Sequence, residues 1–434
     1  MDAGAAVEVL DLEVTGVAHG GWCVARDSGG RVVFVRHALP GEQVRARVTD
    51  ATASFARADA VEVLRASPDR VEPRCPHARP GGCGGCDWQH AELAAQRRIK
   101  AEVVRDQLRR IAGIDREVIA EPVAGDDGGL GWRTRVRFSV NPGGTAGLLA
   151  HRSHEVVEVG DCPIAHPLVR ARAVTGRNWA PARSVEAMVS PAAGERALIV
   201  APAPRPGGPG AAGAGLAGAA DTVLAAGRGG RLTTLSGRGS LRQRAAGRWW
   251  RVSAGAFWQV HPGAADALSA AVLGVLRPRP GEVALDLFCG AGLFAGALAA
   301  AVGPDGMVIA VDSDRAAVRD ARHNLRGTPW ARVRTADAAE ALARGGWPPA
   351  ALAVLDPPRT GVPRTVIDRL LAPGGGPGQR GSLRMVAYVS CDPATLARDV
   401  AVFAGHGWRL DGLRAFDIFP MTHHVECVAA LTPR

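Results

Sequence analysis

The sequence predicts three units: a small N-terminal β-barrel, a β-rich middle, and a C-terminal doubly wound α/β domain with a mainly parallel sheet. Three observations carry this. At 434 residues the chain is too long for one hydrophobic core. Residues 7–66 contain short alternating runs and no helix-period stretch. From about residue 262 onward, strand patterns alternate with helix patterns.

In the first unit the runs VEVLDLEV, WCVA, RVVFVRHAL, EQVRARVTDA and ARADAVEVLRA are separated by turns at Gly20–Gly21 and Ser28–Gly29–Gly30. Strands this short and this evenly spaced predict an OB-type barrel. It carries Arg26, Arg31, Arg36, Arg45, Arg47 and Arg57, the charge expected of a nucleic-acid surface. A cysteine cluster follows at 75–86, then an amphipathic helix over 91–113 that ends at Gly113. Residues 130–260 return to β patterns (TRVRFSV, GLLAHRSHEVVEV, RALIVAP, RWWRVS), interrupted at 201–220 by a low-complexity stretch expected to be a mobile surface insertion. The last unit runs VALDLF, MVIAV, LAVLD and MVAYVS, closing with RLDGLRAFDIF and HHVECVAAL. The expected boundaries are 1–68 for the barrel, 69–92 with 120–258 for the middle, and 93–119 with 259–434 for the α/β domain.

Net charge is 52 − 42 = +10, which favours an anionic partner, nucleic acid first; Lys100 is the only lysine among the basic residues. The acidic, alternating N-terminus does not resemble a signal peptide. The helical apolar run 293–302 is far below the roughly 20 residues a bilayer span needs. A soluble, cytoplasmic, monomeric protein without a membrane partner is expected.

VALDLFCGAGLFAGALA (283–299) reads as strand, glycine turn and helix start, with Gly290 and Gly292 letting the backbone approach a ligand. Asp312 ends the next strand, placed to accept hydrogen bonds from a ribose. This much fits NAD and S-adenosylmethionine (SAM) equally, and an NAD-dependent oxidoreductase stays open on these residues alone. Asp337 after the third strand and Asp356-Pro357-Pro358 after the fourth turn the balance to SAM. Arg359 stands where amino-methyltransferases usually carry an aromatic residue, which argues against attack on an exocyclic amine.

Ligands of open α/β sheets lie beyond the carboxyl ends of the strands, and Cys391 follows the fifth parallel strand at that edge. An antiparallel last strand returns Thr422, His423, His424 and Glu426 to the same edge. A thiol, a carboxylate and a methyl donor suit one chemistry. Carbon 5 of a pyrimidine becomes nucleophilic once a thiolate adds to carbon 6, and a base must then remove the carbon 5 proton. Cys391 fits the nucleophile and Glu426 the base. Cys289 and Cys427 fit the default for strand cysteines, small buried apolar residues.

Through AFWQVHP, DLFCGAG, LDPPRTG, YVSCDPATLARD and DIFPMTHHVE the chain resembles the RNA uracil-5-methyltransferase family, most closely its 23S ribosomal RNA branch with an N-terminal TRAM barrel. The resemblance covers nearly the whole chain. It implies a Rossmann-like class I methyltransferase fold, RNA as partner with ribosomal RNA ahead of transfer RNA, and Cys391 and Glu426 as the catalytic pair. It also implies SAM-site roles for Gln259, Phe288, Asp312 and Asp356, beside Gly290 and Asp337. The family often has Asn at Leu293 and His261, and Glu at Asp312. The target base would have to be flipped into the crevice. Cys75, Cys83, Cys86 and Cys162 read by spacing as a metal site, zinc or iron–sulfur. The resemblance favours a [4Fe–4S] cluster, with a first gap longer than the family's.

Overall fold

The computed structural model describes residues 8–170, 174–202, 220–372 and 383–434. All but the ends of the low-complexity stretch therefore lie outside the described residues. Strands β1 (Val9–Ala18), β2 (Trp22–Arg26), β3 (Val32–Arg36), β4 (Gln43–Ala51) and β5 (Phe55–Arg65) close into a barrel in the order β1-β2-β3-β5-β4. Leu12, Val14, Val33, Val35, Val44 and Ala46 fill it, alternating with outward polar residues as a closed barrel requires. Four of the six barrel arginines are already paired: Arg31 with Glu8 and Asp27, Arg36 with Asp87, Arg45 with Asp11 and Glu62, and Arg57 with Asp50. Half of the six arginines of the expected basic barrel surface are thus paired with the barrel's own carboxylates, and Arg36 is buried against Asp87 from beyond it.

Helix α1 (Leu93–Gln107) continues as a π-turn over Leu108–Ala112 and stops at Gly113, whose φ of 67° is left-handed. The short β6 (Ala120–Pro122) follows. The middle sheet comprises β7 (Arg135–Val140), β8 (Ala146–Leu149), β9 (Val156–Val157), β10 (Ala182–Ser190), β11 (Glu195–Pro202), β12 (Thr222–Ala226) and β13 (Leu232–Ser236). A one-turn helix, α2 (Pro167–Arg170), packs beneath it. A separate hairpin of β14 (Ser240–Ala245) and β15 (Arg248–Ser253) leads into the last unit.

That unit is an eight-stranded sheet in the order β18-β17-β16-β19-β20-β22-β21-β6. Its strands are β16 (Val283–Leu287), β17 (Met307–Asp312), β18 (Ala331–Thr335), β19 (Leu352–Leu355), β20 (Met385–Ser390), β21 (Trp408–Asp417) and β22 (Glu426–Pro433), with β6 at the edge. The first five are mutually parallel, and β22 is antiparallel to both of its neighbours, as the sequence predicts.

Helices α3 (Ala264–Leu276), α4 (Leu293–Val302), α5 (Arg315–Asn324), α6 (Ala338–Arg344), α7 (Arg364–Leu371) and α8 (Pro393–Gly405) supply the crossovers. Strand residues alternate between two cores. Ala284, Val308, Val354 and Val389 pack with α3 and α4, while Leu285, Leu287, Ile309 and Tyr388 pack with α6, α7, α8 and the end of α1. Both faces are covered, so the central strands β16, β17, β19 and β20 are apolar between their ends. Asp286, inside β16, is the charged exception among them. Among the described residues no helix is long and apolar enough to cross a membrane.

Candidate active site

The edge beyond β16, β17, β19 and β20 collects the predicted residues. Phe288, directly after β16, adopts φ 71° and donates its backbone N–H to the Val311 carbonyl at 2.9 Å. Gly292 caps α4 with φ 91°, a conformation that costs glycine little. The Gly290 N–H donates to Asp312 Oδ2 at 2.9 Å, and the Asp314 N–H donates to Oδ1 at 2.8 Å. Asp312 therefore faces the glycine turn, with further acceptor capacity on each oxygen. Asp337 caps α6, accepting from Ala339 and Glu340. Gln259 is buried in the loop between β15 and α3, and Phe257, two residues earlier, is 65% exposed.

Cys391 and Glu426 face each other through register. Ser390 pairs with Cys427 across β20 and β22, so the next antiparallel step sets Cys391 opposite Glu426. Opposed residues in such a ladder stand about 5 Å apart at the backbone with side chains on one face. Glu426 is 4% exposed. Its carboxyl is held well above the usual range by burial first and then by Asp356, with Arg359 opposing. Burial, then the Glu426 charge, pushes the Cys391 thiol up to about 11, while the Arg359 charge and hydrogen bond pull it down. Burial and the Asp312 charge raise Asp356 to about 7. Cys289 and Cys427 are buried, as expected.

Sequence reasoning missed Asp286. Its Oδ2 accepts from the Ala295 N–H at 2.7 Å, but its Oδ1 is buried without a hydrogen-bond partner. Burial keeps this carboxyl well above its usual range against the Ala295 hydrogen bond, and the Asp356 and Asp312 charges add to the rise. Nothing in VALDLF announces this except a carboxylate in an otherwise apolar strand. An orphaned acid beside two others suits a cationic ligand, because a positive charge favours each ionised form. SAM carries two cationic groups, a sulfonium and an ammonium, and these residues fit it.

Loops from outside the sheet frame the crevice. Lys100, 1% exposed, donates to Asp417 Oδ1 at 2.5 Å and to the Phe419 carbonyl at 2.9 Å. Gln96 accepts from the Met421 N–H, and Asp87 Oδ2 accepts from the backbone N–H of His423 and stands 2.7 Å from its Nδ1. The His424 ring lies tilted at 49° against that of His423, with centres 4.0 Å apart, and reaches Arg359 at 3.2 Å. The loop that delivers Glu426 is thus held from α1 and from residue 87.

The architecture has a match in solved structures. Superposition on the Pyrococcus abyssi tRNA (uracil-54, C5)-methyltransferase, solved with S-adenosyl-L-homocysteine, gives a TM-score of 0.71 at 22% identity, covering 97% of this chain and 99% of that one. A TRAM domain model matches residues 6–61, and the tRNA (Uracil-5-)-methyltransferase model matches residues 350–434. An RNA methyltransferase of Streptomyces avermitilis is 46% identical over 98% of both chains. The 23S rRNA (uracil(1939)-C(5))-methyltransferase of Acidithiobacillus ferrooxidans is 32% identical, covering 98% of this chain and 96% of that one. The chain belongs to the RNA uracil-5-methyltransferase family. As a family member it is an RNA (uracil-5-)-methyltransferase that uses SAM, and the NAD-dependent oxidoreductase alternative falls away.

The expected [4Fe–4S] site needs correction. Cys75, Cys83, Cys86 and Cys162 line one cavity, yet among the described residues no group of three or more His, Cys, Asp or Glu is arranged to hold a metal ion. Burial raises the thiols of Cys83 and Cys86 and lifts Cys162 to about 11. Here Cys86 accepts a hydrogen bond from Gln89 and packs with Cys162 against Trp132 and Ile164, while Cys83 accepts from Gly85. In this uracil-5-methyltransferase the four are half-buried free thiols, with Cys83, Cys86 and Cys162 at the margins of apolar clusters.

Proposed function

We propose that this enzyme methylates carbon 5 of a uridine in ribosomal RNA through a covalent bond between Cys391 and carbon 6. The observation that carries the mechanism is that the β20–β22 ladder ends at Ser390 and Cys427, so that Cys391 and Glu426 are the next residues on the two strands, with the Glu426 charge acting on the thiol. The Acidithiobacillus relative, named for a 23S rRNA uridine and similar over nearly the full chain, supports ribosomal RNA.

Bound SAM supplies an electrophilic methyl group. The Cys391 thiolate adds to carbon 6, forming the S–C6 bond and moving the C5=C6 electron pair into an enolate. Carbon 5 takes the methyl group and S-adenosylhomocysteine departs. Glu426, as carboxylate, accepts the carbon 5 proton; C5=C6 re-forms, the C6–S bond breaks, and the thiolate is restored. Arg359, which already favours the thiolate, offsets part of the burial of this site. The buried acids Asp286 and Asp356 hold the cationic donor.

The test is methyl transfer from tritiated SAM to ribosomal RNA purified from a strain lacking this gene. Cys391→Ala abolishes transfer and keeps SAM binding; full turnover by that variant refutes the covalent route. Label that appears only in transfer RNA from the same strain refutes the choice of substrate.

A further inference from the structure

We propose that His19, in the barrel, is a positioning residue for the methyl-transfer reaction, fixing the loop that carries Cys391. This rests on Cys391 being the nucleophile.

The turn between β1 and β2 is docked, not free. Gly20 and Gly21 have φ of 92° and 82°, and a Cβ on Gly21 would come within 2.8 Å of the Asp87 carboxyl carbon. Next to it, Trp22 is 7% exposed and seated edge-on against the His151 ring, centres 5.7 Å apart. This seating carries His19 across the domain boundary to Asp392, the residue directly after Cys391. His19 Nε2 stands 3.1 Å from Asp392 Oδ2.

Asp392 fixes the nucleophile's surroundings. Its Oδ1 accepts from the Thr395 N–H at 2.8 Å and so caps α8. Ser390 Oγ donates to the Asp392 carbonyl at 3.1 Å and accepts from the Asp392 N–H at 3.3 Å, bridging over Cys391. Burial works to raise the Asp392 carboxyl, but the hydrogen bonds from His19 and Thr395 outweigh it and hold the group well below the usual carboxylate range. An ionised Asp392 is a permanent acceptor, and His19 is its anchor outside the methyltransferase domain. The sulfur must meet carbon 6 within a few tenths of an ångström, so a loop pinned on one side only loses rate without losing substrate.

The experiment compares wild type, His19→Leu, His19→Gln, Asp392→Asn and the His19→Leu/Asp392→Asn double variant, all full length. The probes are tritiated SAM with ribosomal RNA from the deletion strain, and a 5-fluorouridine-substituted 23S rRNA transcript that traps the adduct. His19→Leu lowers kcat and slows adduct formation by about tenfold or more, while the transcript Kd and the KM for SAM stay within about twofold. His19→Gln, whose amide still donates, restores most of the rate. The double variant is no worse than the poorer single, because both act through one contact. Unchanged kcat in His19→Leu, a loss confined to the transcript Kd, or additive effects in the double variant each overturn the proposal. A wild-type enzyme that forms no adduct instead refutes the nucleophile assignment itself, and shows this before any barrel variant is made.

Discussion

Cys391 is expected to rest as a thiol rather than a thiolate, and alkylation can measure this. Burial and the Glu426 charge push the group to about 11, despite Arg359. At pH 8 about one molecule in a thousand is then ionised, against roughly one in four for a free cysteine near 8.5. Only the thiolate reacts with iodoacetamide, so Cys391 should alkylate a few hundredfold more slowly than a free thiol at pH 8, and about tenfold faster per pH unit towards 11. Peptide-resolved mass spectrometry separates Cys391 from the other seven cysteines. Glu426→Gln removes the second cause of the rise, so the midpoint falls and alkylation at pH 8 accelerates. A midpoint near 8 in the wild type, or no response to Glu426→Gln, refutes the claim that burial and Glu426 govern the thiol. Physically, such a thiol waits for a positive charge: a cationic donor bound nearby favours the thiolate, tying nucleophile activation to donor binding.

Three further outcomes are expected. Glu426→Gln leaves the carbon 5 proton in place, so a covalent enzyme–RNA species accumulates on denaturing gels while turnover stops; normal turnover without adduct refutes the base assignment. Asp356, raised to about 7, is protonated below that pH and charged above it, so SAM binding should tighten as pH rises through 7 and release protons below it. Calorimetry in buffers of different ionisation enthalpy checks this, and Asp356→Asn should flatten the dependence. Lys100→Met leaves buried Asp417 with Arg97 alone, 3.3 Å from its Oδ2, which should cost about 1.5–3 kcal/mol of stability in denaturant melts. Lys100→Arg, keeping the charge, should lose less.

The α/β domain was legible because its signals are local. Apolar strands, a glycine turn and a carboxylate after each strand survive reading one segment at a time, and an antiparallel last strand after a hairpin brings Glu426 back to the ligand edge. Pairings between distant segments were not legible. The barrel arginines count as positive in the sequence, but Glu8, Asp11, Asp50 and Glu62 sit across from them only after strands pair in register. Asp286 reads as one polar residue in a strand, and only burial reveals its orphaned oxygen. The cysteine spacing was misleading for a related reason: it is also compatible with Cys86 and Cys162 packed against Trp132 and Ile164, and spacing does not report how thiols are arranged around a centre.

The single lysine and single tyrosine show why the catalytic domain depends on parts outside its own sheet. Tyr388, buried in β20, donates to Asp399 at 2.5 Å, and Asp399 also accepts from the Val362 N–H, so the strand before Cys391, helix α8 and the loop after Asp356 share one carboxylate. Lys100 does the same on the other side, binding Asp417 and the Phe419 carbonyl from α1. In each case a buried polar group fixes the exit of a strand, where the ladder can no longer hold the chain. Hydrogen bonds among buried groups are costly to break because the freed partner cannot turn to water. Cys391 and Glu426, the proposed catalytic pair, emerge from adjacent strands, but strand pairing ends at Ser390 and Cys427, one residue short of aligning the sulfur itself. The remaining precision must come from Asp392, and through it from the barrel.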